Sequence, residues 1–130
     1  ILKSQHLSMS AITPVVKVGD LGTAFDITVK QPTNPADPSG AKTAIDFSHA
    51  DYTGATYQFE FEKPNGKRLD LVTATKKDAV NGILTYTTAT NVASIFDANR
   101  RWKIRPIITK SVSNGGSSFR GTWVGFTVGD

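Results

Sequence analysis

The chain has 130 residues, a net charge of +4 and no cysteine, enough length for one domain with a core that no disulfide staples. The missing cysteine excludes a disulfide scaffold, a thiolate metal site and a cysteine nucleophile, and fits maturation in a reducing cytoplasm, although a bacterial surface protein can also lack cysteine. No apolar run approaches the roughly 18 residues that cross a bilayer, and Ile1 to Ser10 lack the apolar stretch of a secretory signal.

The only methionine is Met9, ahead of Ser10-Ala11-Ile12. Two origins for Ile1 to Ser8 fit equally: residues carried over from a vector before a start at Met9, or a native disordered leader. Residues 1–12 are therefore set apart as a flexible leader, and 13–130 as one β domain.

After an opening strand near Val15 to Val18, the dominant period is two. Phe25, Ile27 and Val29 alternate with Asp26, Thr28 and Lys30, which sends the two sets to opposite faces of a strand. Gln31 to Lys42 holds Pro32, Pro35, Pro38 and Gly40 and reads as a long exposed loop with no strand of its own. Tyr57, Phe59 and Phe61 then alternate with Gln58, Glu60 and Glu62. Pro64-Asn65-Gly66-Lys67 is a turn, because proline presets the first central angle and Asn-Gly tolerates positive φ. Asn81-Gly82 leads into a strand from Ile83 to Tyr86. Between Thr90 and Asn99, Val92, Ile95 and Phe96 fall at helical spacing behind Asn91, which predicts about one capped helical turn. Trp102, Ile104, Pro106 and Ile108 alternate with Arg101, Lys103, Arg105 and Ile107. Ser113 to Ser117 forms the loop of a terminal hairpin, and Val124, Phe126 and Val128 share one side of the last strand. About seven to eight short strands separated by turn signals predict an all-β, antiparallel sandwich.

Groups able to converge for catalysis are scarce. Of the two histidines, His6 lies in the leader and His49 in a polar connection. Ser48, His49 and Asp51 are too close on an extended segment to be expected to converge as a triad. Glu60 and Glu62 stand about 6 to 7 Å apart on one strand face, a glycosidase-like spacing, but on a solvent face with nothing to desolvate them. The aspartates do not follow a calcium-loop pattern, and GxGxxG, P-loop and HExxH motifs are absent. No catalytic residue, metal ligand or cofactor site is assigned, and the chain is not expected to be an enzyme.

In an immunoglobulin-type sandwich the third and sixth strands are neighbours. That arrangement sets the Glu60/Glu62 row beside the Arg101/Lys103/Arg105 row, each cross-strand pair contributing about 0.2 to 1 kcal/mol. The basic residues then belong to a sheet surface, so neither nucleic acid nor membrane is expected as a partner. Trp102 is in phase with Ile104 and Ile108 and is expected in the core. Trp123 is out of phase with Val124, Phe126 and Val128, with Gly121 and Gly125 as same-face neighbours. It is expected to be partly exposed, and Trp123, Pro35 and Pro38 are the candidate protein contacts.

Gly19-Asp20-Leu21-Gly22-Thr23-Ala24-Phe25-Asp26-Ile27, Asp51-Tyr52-Thr53-Gly54-Ala55-Thr56-Tyr57-Gln58-Phe59-Glu60-Phe61, Lys63-Pro64-Asn65-Gly66, Asn81-Gly82-Ile83-Leu84-Thr85-Tyr86 and Gly121 to Val128 form an ordered series. In order and spacing it resembles the N-terminal domain of siphophage upper baseplate proteins, over roughly Val15 to Val128. The proline-rich loop is longer than that pattern, and the chain stops where the family continues into a linker. The resemblance implies an immunoglobulin-like β-sandwich, the N-terminal module of a longer and possible homotrimeric protein. It would be made in the bacterial host cytoplasm and sit in the virion, at the tail baseplate. Its implied partners are the tail-hub (distal tail) protein and a receptor-binding protein, with no cofactor. The alternative from the residues is a carbohydrate- or cell-surface-binding sandwich, which would present two or more exposed aromatics as a platform.

Overall fold

Alternation of side chains decides which face each strand buries, and the structure, a computed structural model, describes residues 8–12, 16–37, 39–88 and 95–129. Eleven strand segments are present: β1 (Ser8–Ile12), β2 (Val16–Lys17), β3 (Ala24–Pro32), β4 (Lys42–Ala44), β5 (Thr56–Glu62), β6 (Val72–Thr73), β7 (Thr75–Asp78), β8 (Ile83–Thr87), β9 (Arg100–Thr109), β10 (Ser118–Arg120) and β11 (Val124–Gly129). Single 3₁₀ turns cover Ala50–Tyr52 and Val112–Asn114.

One sheet runs β1-β3-β8-β7, with β4 added to β3; the other runs β2-β11-β9-β5-β6, with β10 added to β9. Neighbours β1-β3-β8-β7 and β5-β9-β11 reproduce the two strand orders of an immunoglobulin-like sandwich. The expected fold class is therefore present. The segments outnumber the expected seven to eight because β2, β4, β6 and β10 are only two or three residues long.

The N-terminal segment serves both sheets. β1 pairs antiparallel with β3, from Ser8 opposite Lys30 to Ile12 opposite Asp26, whereas β2 pairs parallel with the end of β11. Residues 8–12 are thus strand rather than leader, because β3 offers them an edge with unpaired backbone groups.

Inward residues of both sheets build the core. Phe25, Ile27 and Val29 of β3 and Leu84 of β8 face Phe59 and Phe61 of β5, Trp102 and Ile104 of β9, and Phe126 and Val128 of β11. Phe25 meets Phe61 and Phe126 edge-on at centroid distances of 5.3 and 5.1 Å. Such aromatic pairs add about 0.5 to 1.5 kcal/mol beyond area burial. Trp102 is fully buried, as its phase predicts, and its indole Nε1 donates to the Ala98 carbonyl at 2.9 Å. That bond satisfies the one polar group which would make burying a tryptophan costly.

Three connections differ from the sequence expectation. The proline-rich stretch is strand at both ends, since β3 runs through Pro32 and Lys42–Ala44 forms β4, leaving a hairpin loop closed by Thr33 N–H donating to Ala41 O at 2.9 Å. Pro32 is tolerated there because it ends its strand, beyond the segment that β8 pairs. The helical turn expected from Thr90 falls largely outside the described residues; Ile95 to Asn99 is not helical, although Phe96 is fully buried against Trp102. β6 and β7, with Val72-Thr73 and Thr75-Lys76-Lys77-Asp78, are too short and polar to show an alternation.

Two backbone positions carry conformational constraint. Gly82, at φ +70°, is buried where β4 and β8 approach the same residue of β3: Val29 N–H donates to Gly82 O at 2.9 Å, and Ile45 N–H donates to Val29 O at 3.0 Å. Arg100, which opens β9, is the sole non-glycine with positive φ (104°) among the described residues. Side chains at such angles cost about 1 to 3 kcal/mol. Arg100→Gly is therefore expected to melt above Arg100→Ala, a comparison that removes the side chain equally and isolates the backbone strain.

On the outer face of the first sheet, Asp26 accepts from Thr85 Oγ1 at 2.6 Å and pairs with Lys77 Nζ at 2.5 Å. The hydrogen bond from Lys77, then that from Thr85, holds the Asp26 carboxyl below its usual range. A carboxylate with a depressed folded-state pKa favours folding above its unfolded value of about 3.9, and that contribution is lost as pH falls through the folded value. Wild-type protein should lose stability between about pH 4 and pH 2 more steeply than Asp26→Asn. Urea midpoints measured across that range check this, and parallel curves would assign the acid sensitivity to other groups.

Candidate functional site

The residues of the 48–51 connection are engaged with their own backbone and near neighbours. The Ser48 hydroxyl donates to Asp46, and His49 Nδ1 accepts the Asp51 backbone N–H at 3.1 Å, capping the Ala50–Tyr52 turn. Ser48, His49 and Asp51 therefore serve local turns and do not form a relay. No group of three or more His, Asp or Glu side chains able to hold a metal occurs among the described residues.

The densest polar arrangement lies on the outer face of the β5–β9–β11 sheet. Antiparallel register places Glu60 opposite Arg105 and Glu62 opposite Lys103, so the negative and positive rows expected from the sequence are directly paired. Their energetic weights differ. Glu60 is 8% exposed, so the expectation of a solvated row fails for it. Its Oε1 accepts Arg105 Nη2 at 2.6 Å and Nε at 2.8 Å, and Arg120 Nη1 stands 3.5 Å away. Two nitrogens of one planar guanidinium on one carboxylate oxygen give a charge-assisted pair stronger than a neutral hydrogen bond. Glu62 makes only the looser contacts, 3.5 Å from Arg68 and 3.7 Å from Lys103.

Trp123 roofs this pair. The Arg105 guanidinium carbon lies 4.1 Å from the Trp123 ring centroid and that of Arg68 5.4 Å. The last strand breaks between β10 and β11, where Gly121 N–H donates to Pro106 O at 2.9 Å and regular pairing to β9 resumes at Val124. This break puts Trp123 on the outer face beside Arg105, half-buried as its phase predicts. Tyr52, Tyr86 and Phe119 are also partly exposed. One strand position further, Arg101 lies flat over Gly125: a Cβ there would stand 2.7 Å from the guanidinium carbon.

The other two candidate contacts sit elsewhere. Pro35 is exposed on the β3–β4 loop of the opposite sheet, and Pro38 lies outside the described residues. Proline content marked that loop, but nothing draws it toward Trp123. What the sequence reading missed is the Arg105–Trp123 contact, which follows from the break at Gly121, and the burial of Glu60, which Arg105 and Arg120 bring about together.

An open cleft of about 320 Å³ is lined by Gln31, Asp46, His49, Asp51, Tyr52 and Lys110, with Ile45 at its wall. The Lys110 ammonium lies 5.1 Å from the Tyr52 ring centroid and 5.5 Å from that of Phe119. Burial pushes the Tyr52 hydroxyl pKa up, with the nearby Asp51 adding to the rise. Across the molecule, none of the two tryptophan, three tyrosine and seven phenylalanine side chains is exposed. A flat aromatic platform of the kind that stacks sugars is therefore absent among the described residues.

The chain matches no protein-family model and no curated protein.

Proposed function

We propose that this chain is a virion structural module of a bacteriophage tail baseplate that attaches a receptor-binding assembly to the tail hub. The ordered sequence resemblance supplies the biological setting, and one structural observation supports the mode of action. The most elaborated surface is a sheet face bearing arginines and a half-buried tryptophan, the residue types enriched where proteins meet proteins. A face of hydrogen-bonded strands suits attachment, which needs an unyielding surface and no reacting group. On this reading the partners are the tail-hub protein and a receptor-binding protein, with no cofactor and no catalytic step.

The cleft beside Tyr52 favours a second reading, a carbohydrate- or cell-surface-binding module. It offers hydrogen-bonding groups of both kinds around one aromatic ring. It is the weaker reading because recognition would rest on that single ring.

Size-exclusion chromatography with light scattering, with and without the tail-hub protein of the same genome, tests the choice. A stable complex is the expected result. A chain that ignores the hub and is retained on host cell-wall polysaccharide would overturn the attachment reading and favour the second.

A further inference from the structure

We propose that the outer face of the β5–β9–β11 sheet docks an acidic protein surface, with Arg101, Lys103 and Arg120 meeting the partner's carboxylates beside Trp123. The inference rests on the attachment reading and adds to it the face and the chemistry of the partner.

Charge is distributed unevenly between the two outer sheet faces. Arg68, Arg101, Lys103, Arg105 and Arg120 stand on this one against only Glu60 and Glu62. The outer face of the other sheet carries fewer cations: Asp26 is paired with Lys77, Thr28 stands opposite Ile83, and Lys30 follows them along β3.

Within the cationic face, the groups divide by burial. Arg105 is 13% exposed at its side chain and saturated by Glu60, so it holds the face together. Arg120 and Lys103 are 54% and 50% exposed and reach their nearest carboxylates only at 3.5 and 3.7 Å. Arg101 is exposed, lies along the sheet over Gly125, and has no ion-pair partner among the described residues. Guanidinium forks held flat against a sheet are pre-organised for carboxylates, so little side-chain freedom is lost on binding.

Glu62 chooses between classes of anionic partner. Partly exposed and only loosely paired with Arg68 and Lys103, it interrupts the basic row that a continuous phosphate backbone would follow. A protein surface meets the same mosaic point by point, with acidic residues at Arg101 and Arg120 and a neutral or basic one at Glu62. Trp123 supplies the apolar anchor that such an interface needs near its centre.

The test uses the double variant Arg101→Glu/Lys103→Glu, which reverses two exposed cations and spares the Glu60–Arg105 pair. Lys30→Glu/Lys42→Glu, on the β3–β4 hairpin, changes the net charge equally on the other sheet and is the control. Binding is measured to the tail-hub protein and, separately, to immobilised poly-L-glutamate and to duplex DNA at one ionic strength, after melting curves establish that the variants fold. The face variant should bind both the hub and polyglutamate at least about tenfold more weakly than wild type, and the control within about twofold. A hub complex untouched by the face variant would overturn the proposed face while leaving the attachment reading standing. No hub complex at all would remove the attachment reading; polyglutamate binding abolished by the face variant alone would still support the acidic-partner face, and equal retention of all variants would overturn it. Duplex DNA held as tightly as polyglutamate would overturn it in favour of a phosphate-binding surface.

Discussion

Gly82→Ala should destabilise the protein by about 3 kcal/mol or more, far beyond what an exposed glycine at a similar angle costs. A Cβ at Gly82 would stand 2.7 Å from Ile45 O and 2.8 Å from Val29 O, both backbone atoms that side-chain motion cannot relieve. Those two carbonyls belong to the junction where β4 follows β8 along β3. Moving either one breaks the hydrogen bonds Val29 N–H to Gly82 O and Ile45 N–H to Val29 O. Gly66, at φ +84° in the Pro64 turn, has nothing within 4 Å of its Cβ position. Gly66→Ala should therefore cost only the backbone strain, about 1 kcal/mol. Urea unfolding of both variants separates close approach from backbone angle. Equal losses would mean that β4 and β8 do not meet at Val29.

The second large effect belongs to Glu60. Removing one member of a buried ion pair leaves the other charged and desolvated, so Glu60→Ala should cost about 3 to 5 kcal/mol. Glu62→Ala should cost about 1 kcal/mol or less, because its partners are half exposed and farther away. The double variant Glu60→Ala/Arg105→Ala should lose much less than the sum of its parts, since it abandons no charge in the sheet face. Strict additivity in that cycle would show that the two groups are stabilised independently. The same variants report on Trp123: removing Arg105 takes away the cation 4.1 Å from the ring centroid and should alter indole fluorescence more than Arg68→Ala does.

Much of this architecture is legible from residue order alone. A period of two in β3, β5 and β9 fixes inward and outward sets without reference to any other strand. Those sets correctly buried Phe25, Phe61 and Trp102 and turned Lys103 outward. The opposed charge rows could be foreseen because strand order in an immunoglobulin-like sandwich makes the third and sixth strands neighbours. Short elements escaped. β1, β4, β6 and β7 owe their conformation to a partner edge, and two to five residues carry too little alternation to announce it. The expectation of a strandless proline-rich loop failed for the same reason: proline content marked the tip, while pairing with β3 decided the flanks.

What the sequence by itself determined is therefore the all-β class and the faces of the long strands, because alternation and composition are local properties. Only the tertiary structure decided the features that give the chain a candidate docking face. Whether a strand-face glutamate is solvated or buried depends on what lies above it, and above Glu60 lie residues from β9, β10 and the break after Gly121. Glu60 and Glu62 look identical in the sequence, two residues apart on one strand; they differ in the fold because Arg105 and Trp123 close over only one of them.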